Sequence, residues 1–296
     1  MPLVATLIAP PDSPILTQHL ADIAATSVGA SVVEWLARGI ACDLVLADGM
    51  DSAAAEAALR HALAGTGIDI VVQSAAGRRK KLLVADMDST MIGQECIDEL
   101  ADLVGLREEV SRITARAMNG EIEFEPALRQ RVALLAGLPV GVIGEVLESR
   151  IRLASGARAL IATMKRHGAH TVLVSGGFTA FTGPVAAQIG FDEHHGNELL
   201  IADGVFTGKV AEPILGRQAK LETLLRVCAR LGIGPQDAIA VGDGANDLDM
   251  LRAAGTGVAL HAKPAVAAAA PVRIDHGDLT ALLYLQGYAQ EEFADE

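Results

Sequence analysis

Leu82-Leu83-Val84-Ala85-Asp86-Met87-Asp88-Ser89-Thr90 joins four apolar residues to two carboxylates set two positions apart. A short unbroken apolar run of this kind reads as a strand buried on both faces, the usual condition inside a parallel sheet. Side chains alternate along a strand, so Asp86 and Asp88 leave its end on one side while Met87 turns to the other. Open α/β sheets bind ligands at the carboxyl ends of their strands. An ionised Asp86 can attack phosphorus without the deprotonation a serine requires, and Asp88 can serve as general acid and then as general base. A helix cap or a simple metal site would use the same two residues, so the rest of the chain has to decide.

Downstream, Val172-Leu173-Val174-Ser175-Gly176-Gly177 reads as a second strand ending in a polar, glycine-containing turn. Ser175 can donate its hydroxyl to a phosphate, and Gly176 lets backbone N–H groups approach it. Lys220 falls in the helical stretch Gly216 to Leu231, where its ammonium can neutralise phosphoryl oxygens. Gly242-Asp243-Gly244-Ala245-Asn246-Asp247 follows an apolar strand, Ala238 to Val241. Here Asp243 can bind a divalent cation, Asp247 can orient Lys220 or a bound water, and the glycines permit a sharp turn. Further strands are expected at Thr171 to Val174, Thr256 to Leu260 and Val272 to Ile274, with a hairpin over 198–210 turning at Ala202, Asp203 and Gly204. The implied core is a doubly wound, mostly parallel, Rossmann-like α/β sheet. Residues 95–153 read as helices around Ile97 and Leu100 and through Pro126 to Leu135, which places a helical cap over about 93–155.

Upstream, residues 3–9 are β-prone, a helical pattern runs through Leu16, Leu20 and Ile23, and strand-like stretches cover about 30–38 and 41–47. An Ala-rich helix near 52–63 and a strand from Ile68 to Val72 complete a β-α-β-β-α-β order. That order is the ferredoxin-like α+β arrangement, and it resembles the small ACT regulatory domain. The resemblance implies binding of an amino-acid effector or pairing into a homodimer, and a purely structural role fits equally. Ser74 to Lys81 reads as a linker, which divides the chain into an N-terminal domain over 1–75 and a second domain over 76–296.

The chain is 51% hydrophobic but only 3% aromatic, so its core is built from aliphatic residues. A formal net charge of −13 argues against nucleic-acid binding, which concentrates Lys and Arg. The basic runs at Arg78 to Lys81 and Arg112 to Arg116 read as solvated surface, and the acidic end from Glu291 to Glu296 reads as a frayed tail. Three dispersed cysteines without a CxxC pair, no signal-like start and no long apolar run point to a cytoplasmic protein away from membranes.

Taken together and in order, the DxDST, SGG, lysine and GDGAND elements resemble the four motifs of the haloacid dehalogenase superfamily across residues 82–285. The helical insertion and the Ser-Thr after Asp88 resemble its phosphoserine phosphatase branch. The resemblance implies Mg²⁺ held by Asp86, Asp243 and the backbone carbonyl of Asp88, with Ser175, Gly176, Lys220 and Asn246 around the phosphate. It also implies that Glu95 meets the substrate ammonium, Arg131 its carboxylate, and Met118 with Phe124 an apolar wall. Arg129 competes with Arg131 for that role. The implied reaction is hydrolysis of phosphoserine to serine and phosphate, the last step of serine biosynthesis. Phosphoryl transfer to another hydroxyl such as that of homoserine would use the same core, and an amino-acid sensor with a vestigial phosphatase core is a third reading.

Overall fold

The computed structural model describes residues 2–47 and 49–294, without the side chain of Met118. The chain forms two compact units. One gathers Met1–Lys81, Ser155–Ala169 and Val272–Glu296, and the other Leu82–Ala154 and His170–Pro271. The segment that precedes the linker therefore shares its unit with two later stretches of chain.

The chain opens with β1 (Leu3–Ile8), α1 (Gln18–Ser27), β2 (Val32–Ala37), β3 (Ala41–Val45), α2 (Ser52–Ala62) and β4 (Asp69–Ser74). The strands lie in the order β2-β3-β1-β4 with every pairing antiparallel, the ferredoxin-like arrangement expected from the sequence. Thr17 and Asp51 cap α1 and α2, each side chain accepting from a backbone N–H, and a cap of this kind contributes about 1 kcal/mol. Ala5, Leu7, Cys42 and Leu44 pack against Ala21, Ala24, Ala55 and Leu59 from the two helices. Alternation sends Thr6 and Asp43 to the other face, where the Thr6 hydroxyl donates to Asp43 at 2.7 Å. Arg78 forms an ion pair with that buried carboxylate at 2.6 Å, so the basic run is not simply solvated. Arg79 lies over the Tyr288 ring and donates to Glu292, and the Ala294 N–H donates to Thr163 at 2.8 Å. The acidic end is thus held as far as residue 294 rather than frayed, while Asp295 and Glu296 lie outside the described residues.

The second half of the chain begins with β5 (Leu82–Ala85), followed by α3 (Cys96–Asp102), α4 (Arg107–Met118), α5 (Phe124–Ala133), α6 (Val142–Ser149) and α7 (Ala157–Arg166). Next come β6 (His170–Phe178), α8 (Thr179–Ile189), β7 (Glu193–Asn197), β8 (Leu199–Ala202), β9 (Val205–Val210) and α9 (Arg217–Leu231). The last elements are β10 (Ala238–Gly242), α10 (Leu248–Ala253), β11 (Thr256–Leu260), α11 (Pro264–Ala267), β12 (Val272–Ile274) and α12 (Ala281–Leu285). Within the second unit the strands run β11-β10-β5-β6-β7, parallel at each pairing. Leu82 to Ala85 are fully buried, as a central parallel strand requires. The chain leaves β5 for neighbours on both sides, so the end of β5 is the crevice where such sheets bind ligands.

Two elements differ from expectation. β6 continues through Phe178 with a register shift after Val174, so Ser175-Gly176-Gly177 lies in an irregular strand end and the helix begins only at Thr179. β7, Glu-His-His-Gly-Asn, carries no apolar run and was not expected at all. The two ends of the helical segment are cross-linked by Gly93 N–H to Arg152 O at 3.1 Å and Ala154 N–H to Met91 O at 2.9 Å. The β8–β9 hairpin turns at Asp203 and Gly204, both at positive φ. It also bonds to the end of the helical segment through Gly137, Leu138 and Val140, which makes it part of the cap. Among the described residues no helix is long and apolar enough to cross a membrane.

Candidate active site

Asp86 follows β5 directly, and its N–H donates to Val241 O of β10 at 3.0 Å. Lys220 reaches it from α9, donating at 2.8 Å to Asp86 Oδ1 and at 2.7 Å to Asp247 Oδ1. The Met87 N–H also falls on Oδ1, at 2.8 Å, which leaves Asp86 Oδ2 for a reacting group or a cation. Lys220 is 0% exposed. Burial alone would lower its pKa, but Asp247 and Asp86 together outweigh burial and raise it, so the ammonium stays charged. Asp247 closes its other oxygen on the Gly244 N–H at 3.0 Å. A Cβ on Gly242 would stand 2.4 Å from the Asp247 carboxyl carbon, so only glycine lets this strand end pass the carboxylate.

Asp88 takes its hydrogen bonds from other residues. Its Oδ1 accepts the Cys96 N–H at 2.9 Å, and its Oδ2 accepts the Ser175 hydroxyl at 3.0 Å. Burial raises its pKa, and the bonds from Cys96 and Ser175 only partly oppose this, which suits a group that must hold a proton before giving it away. Ser175 is itself tied by the Gly177 N–H at 2.8 Å. A Cβ on Gly176 would meet Phe124 at 2.6 Å, and one on Gly177 would meet Asp88 at 2.8 Å, so the irregular end of β6 packs against both the acid and the cap. The buried side-chain oxygen of Asn246 has no hydrogen-bond partner.

Asp86, Asp88, Glu95, Phe124, Arg131, Ser175, Gly176 and Asn246 line one cavity. Lys220, Asp243 and Asp247 are buried beside it. The structure separates the two arginines of α5. Arg131 is 5% exposed and in the cavity wall, whereas Arg129 is exposed and paired with Glu212 and Glu125. Glu95 accepts the Ser89 hydroxyl at 2.7 Å. Burial first, and then repulsion from Asp88 and Asp243, holds the Glu95 carboxyl well above the usual range. The expected role of Met118 lies outside the described side chains.

Several contributors escaped the sequence reading. Ser89 takes a left-handed φ of 55°, uncommon for a residue with a Cβ, and thereby reaches Glu95. Thr114, on the inward face of α4, accepts from Arg131 at 2.9 Å. Asn197 of β7 clamps the loops on either side, donating to Gly176 O and Leu215 O and accepting the Leu215 N–H. Ser89 is marked in the sequence only by the Ser-Thr after Asp88, and Thr114 and Asn197 have no signature beyond a polar residue on a helix or near a glycine.

Asp86, Asp243 and Asp247 each bring a carboxylate oxygen within 4.8 Å of the others. Burial, then repulsion from Asp247, lifts Asp243 from 3.8 to about 7 despite Lys220 and Lys263. A buried, all-oxygen, negatively charged donor set fits a hard divalent cation. Both oxygens of Asp247 are already engaged, so Asp86 and Asp243 are the better-placed ligands.

A family profile described as haloacid dehalogenase-like hydrolase matches residues 83–252. The chain is 44% identical over 246 residues to a phosphoserine phosphatase of Streptomyces coelicolor, covering 82% of this chain and 60% of that one. It is 48% identical over 210 residues to a phosphoserine phosphatase of Albidiferax ferrireducens, covering 69% of this chain and 89% of that one. A solved structure of a phospho-aspartyl intermediate analogue of phosphoserine phosphatase superposes with a TM-score of 0.67 at 39% identity, covering 70% of this chain and 98% of the other. This chain belongs to the haloacid dehalogenase-like hydrolase family and is an enzyme of its phosphatase type.

Proposed function

We propose that the enzyme hydrolyses O-phospho-L-serine to L-serine and phosphate with Mg²⁺, which would make it the last step of serine biosynthesis. The observation that carries this reading is one cavity lined by Asp86 and Asp88 together with the Glu95 carboxylate and the Arg131 guanidinium. Arg131 suits the substrate carboxylate and Glu95 its ammonium. The relatives named phosphoserine phosphatase support the same substrate.

In the proposed reaction a carboxylate oxygen of Asp86 attacks phosphorus as the ester P–O bond breaks, and Asp88 gives its proton to the leaving serine oxygen. Water then attacks the aspartyl phosphate, Asp88 takes the water's proton, and the bond from phosphorus to Asp86 breaks to release phosphate. Lys220 holds Asp86 in place and offsets charge as the phosphoryl group arrives. Mg²⁺ on Asp86, Asp243 and the Asp88 carbonyl would supply the remaining positive charge. Ser175, Gly176 and Asn246 line the same cavity and would donate to the phosphate oxygens.

The test is phosphate release from O-phospho-L-serine, O-phosphoethanolamine and an aryl phosphate, each with Mg²⁺ and with chelator. Phosphoserine should give the highest kcat/KM, and chelator should abolish it. No preference among the three would refute the substrate assignment.

A further inference from the structure

We propose that Thr114 is a positioning residue that aims the Arg131 guanidinium at the carboxylate of the substrate, a role that rests on the phosphoserine reading above. Arg131 sits near the end of α5 with two of its donors already committed. Its Nε–H goes to Ala127 O at 3.2 Å, and one terminal N–H goes to Thr114 Oγ1 at 2.9 Å. A guanidinium has five donors in a fixed plane, so fixing two of them fixes the plane and leaves the others for a carboxylate in the cavity.

Thr114 can hold that plane only if its hydroxyl proton points elsewhere. That single proton has two acceptors within reach, Asp98 Oδ1 at 2.9 Å and Val110 O at 3.0 Å. Asp98 is 8% exposed and Thr114 3%, and the other oxygen of Asp98 takes the Ser111 hydroxyl at 2.5 Å. With its proton turned to Asp98 or to Val110, the threonine hydroxyl keeps a lone pair for Arg131. The chain of contacts crosses α3, α4 and α5, whose separate movement would otherwise leave a long arginine free to choose among rotamers. Thr114 is also in the cavity wall.

A threonine bonded to the carbonyl four residues before it in a helix can be structural only. The two roles differ in what they do to a substrate lacking a carboxylate. Thr114→Val keeps the shape and removes the acceptor, and Thr114→Ser restores it. For the valine variant we expect kcat/KM on O-phospho-L-serine to fall about tenfold, mostly through KM, the size of one charge-assisted hydrogen bond. O-phosphoethanolamine should change less than about twofold, because it has no carboxylate for Arg131 to meet. The serine variant should return most of the loss, and Thr114→Val should add nothing further in an Arg131→Ala background.

Equal losses on both substrates, failure of serine to rescue, or full additivity with Arg131→Ala would each overturn the role. Thr114→Ala is measured beside valine, so that a side chain too wide for the helix contact still leaves a folded comparison. A wild-type enzyme with no preference for phosphoserine over phosphoethanolamine would overturn the substrate reading and this role together. A preference that survives Thr114→Val unchanged would overturn this role alone.

Discussion

Removing divalent cations should make the protein less stable as pH rises, against the usual behaviour of carboxylates in ion pairs. Asp243 moves from 3.8 to about 7 on folding, chiefly by burial and then by repulsion from Asp247. A folded-state pKa above the unfolded value means that the folded protein binds the proton more tightly. The associated stability is complete below the unfolded pKa and disappears as pH rises toward the folded one. At about 1.4 kcal/mol per unit, the metal-free protein should lose about 3 kcal/mol from this group alone between pH 5 and 8. Burial, followed by Asp247, pushes Asp86 in the same direction. A cation needs these carboxylates ionised, so it should restore at pH 8 what their ionisation removes. At a hundredfold excess over its dissociation constant a ligand contributes about 2.7 kcal/mol. At pH 5, proton competition two units below the Asp243 pKa should cut that to below about 0.5 kcal/mol. The assay is urea unfolding at both pH values with Mg²⁺ and with chelator, taking the difference at each pH so that groups away from the site cancel. Stabilisation by Mg²⁺ that is equal at the two pH values, or larger at pH 5, would refute the buried carboxylate reasoning.

Four substitutions extend the account. Asp86→Asn should fold but lose turnover by at least about a thousandfold, since the amide is no nucleophile; near-native phosphate release in a clean preparation would remove Asp86 from that role. Arg131→Ala and Glu95→Gln should each lower kcat/KM for phosphoserine by about 2–5 kcal/mol, about 30-fold to a few thousandfold, while sparing slow aryl phosphate hydrolysis; equal losses on both substrates would reassign the two residues to cap architecture. Gly242→Ala places a methyl 2.4 Å from the Asp247 carboxyl carbon, and overpacking of this kind should destabilise by about 1–3 kcal/mol, with turnover falling as Lys220 loses its partner; an unchanged urea midpoint and rate would contradict the tight fit.

What the sequence could show depended on whether a residue's role was local. Leu82 to Ala85 announces a buried strand because parallel strands are apolar on both faces, and Asp86 and Asp88 stand out against it. β7 gave no such sign because Glu193 to Asn197 borders the sheet, and its partly solvated residues need no apolar pattern. Lys220 looks like any helix lysine until the fold buries it between two carboxylates. Arg129 and Arg131 are two positions apart, and only the packing of α5 turns one inward and leaves the other with Glu212. Thr114 and Asp98 are legible only as members of a three-helix contact. The tail looked frayed because its charges were counted without Arg79 beside them.

The most direct test of the central claim is to quench the enzyme during turnover of phosphoserine labelled in its phosphoryl group and map where the label sits. The account predicts a transient, acid-stable and alkali-labile acyl phosphate on the peptide containing Asp86, which disappears when substrate is exhausted and never forms in Asp86→Asn. Label on another residue, or steady turnover with no labelled protein at any time down to the millisecond range of the quench, would contradict it.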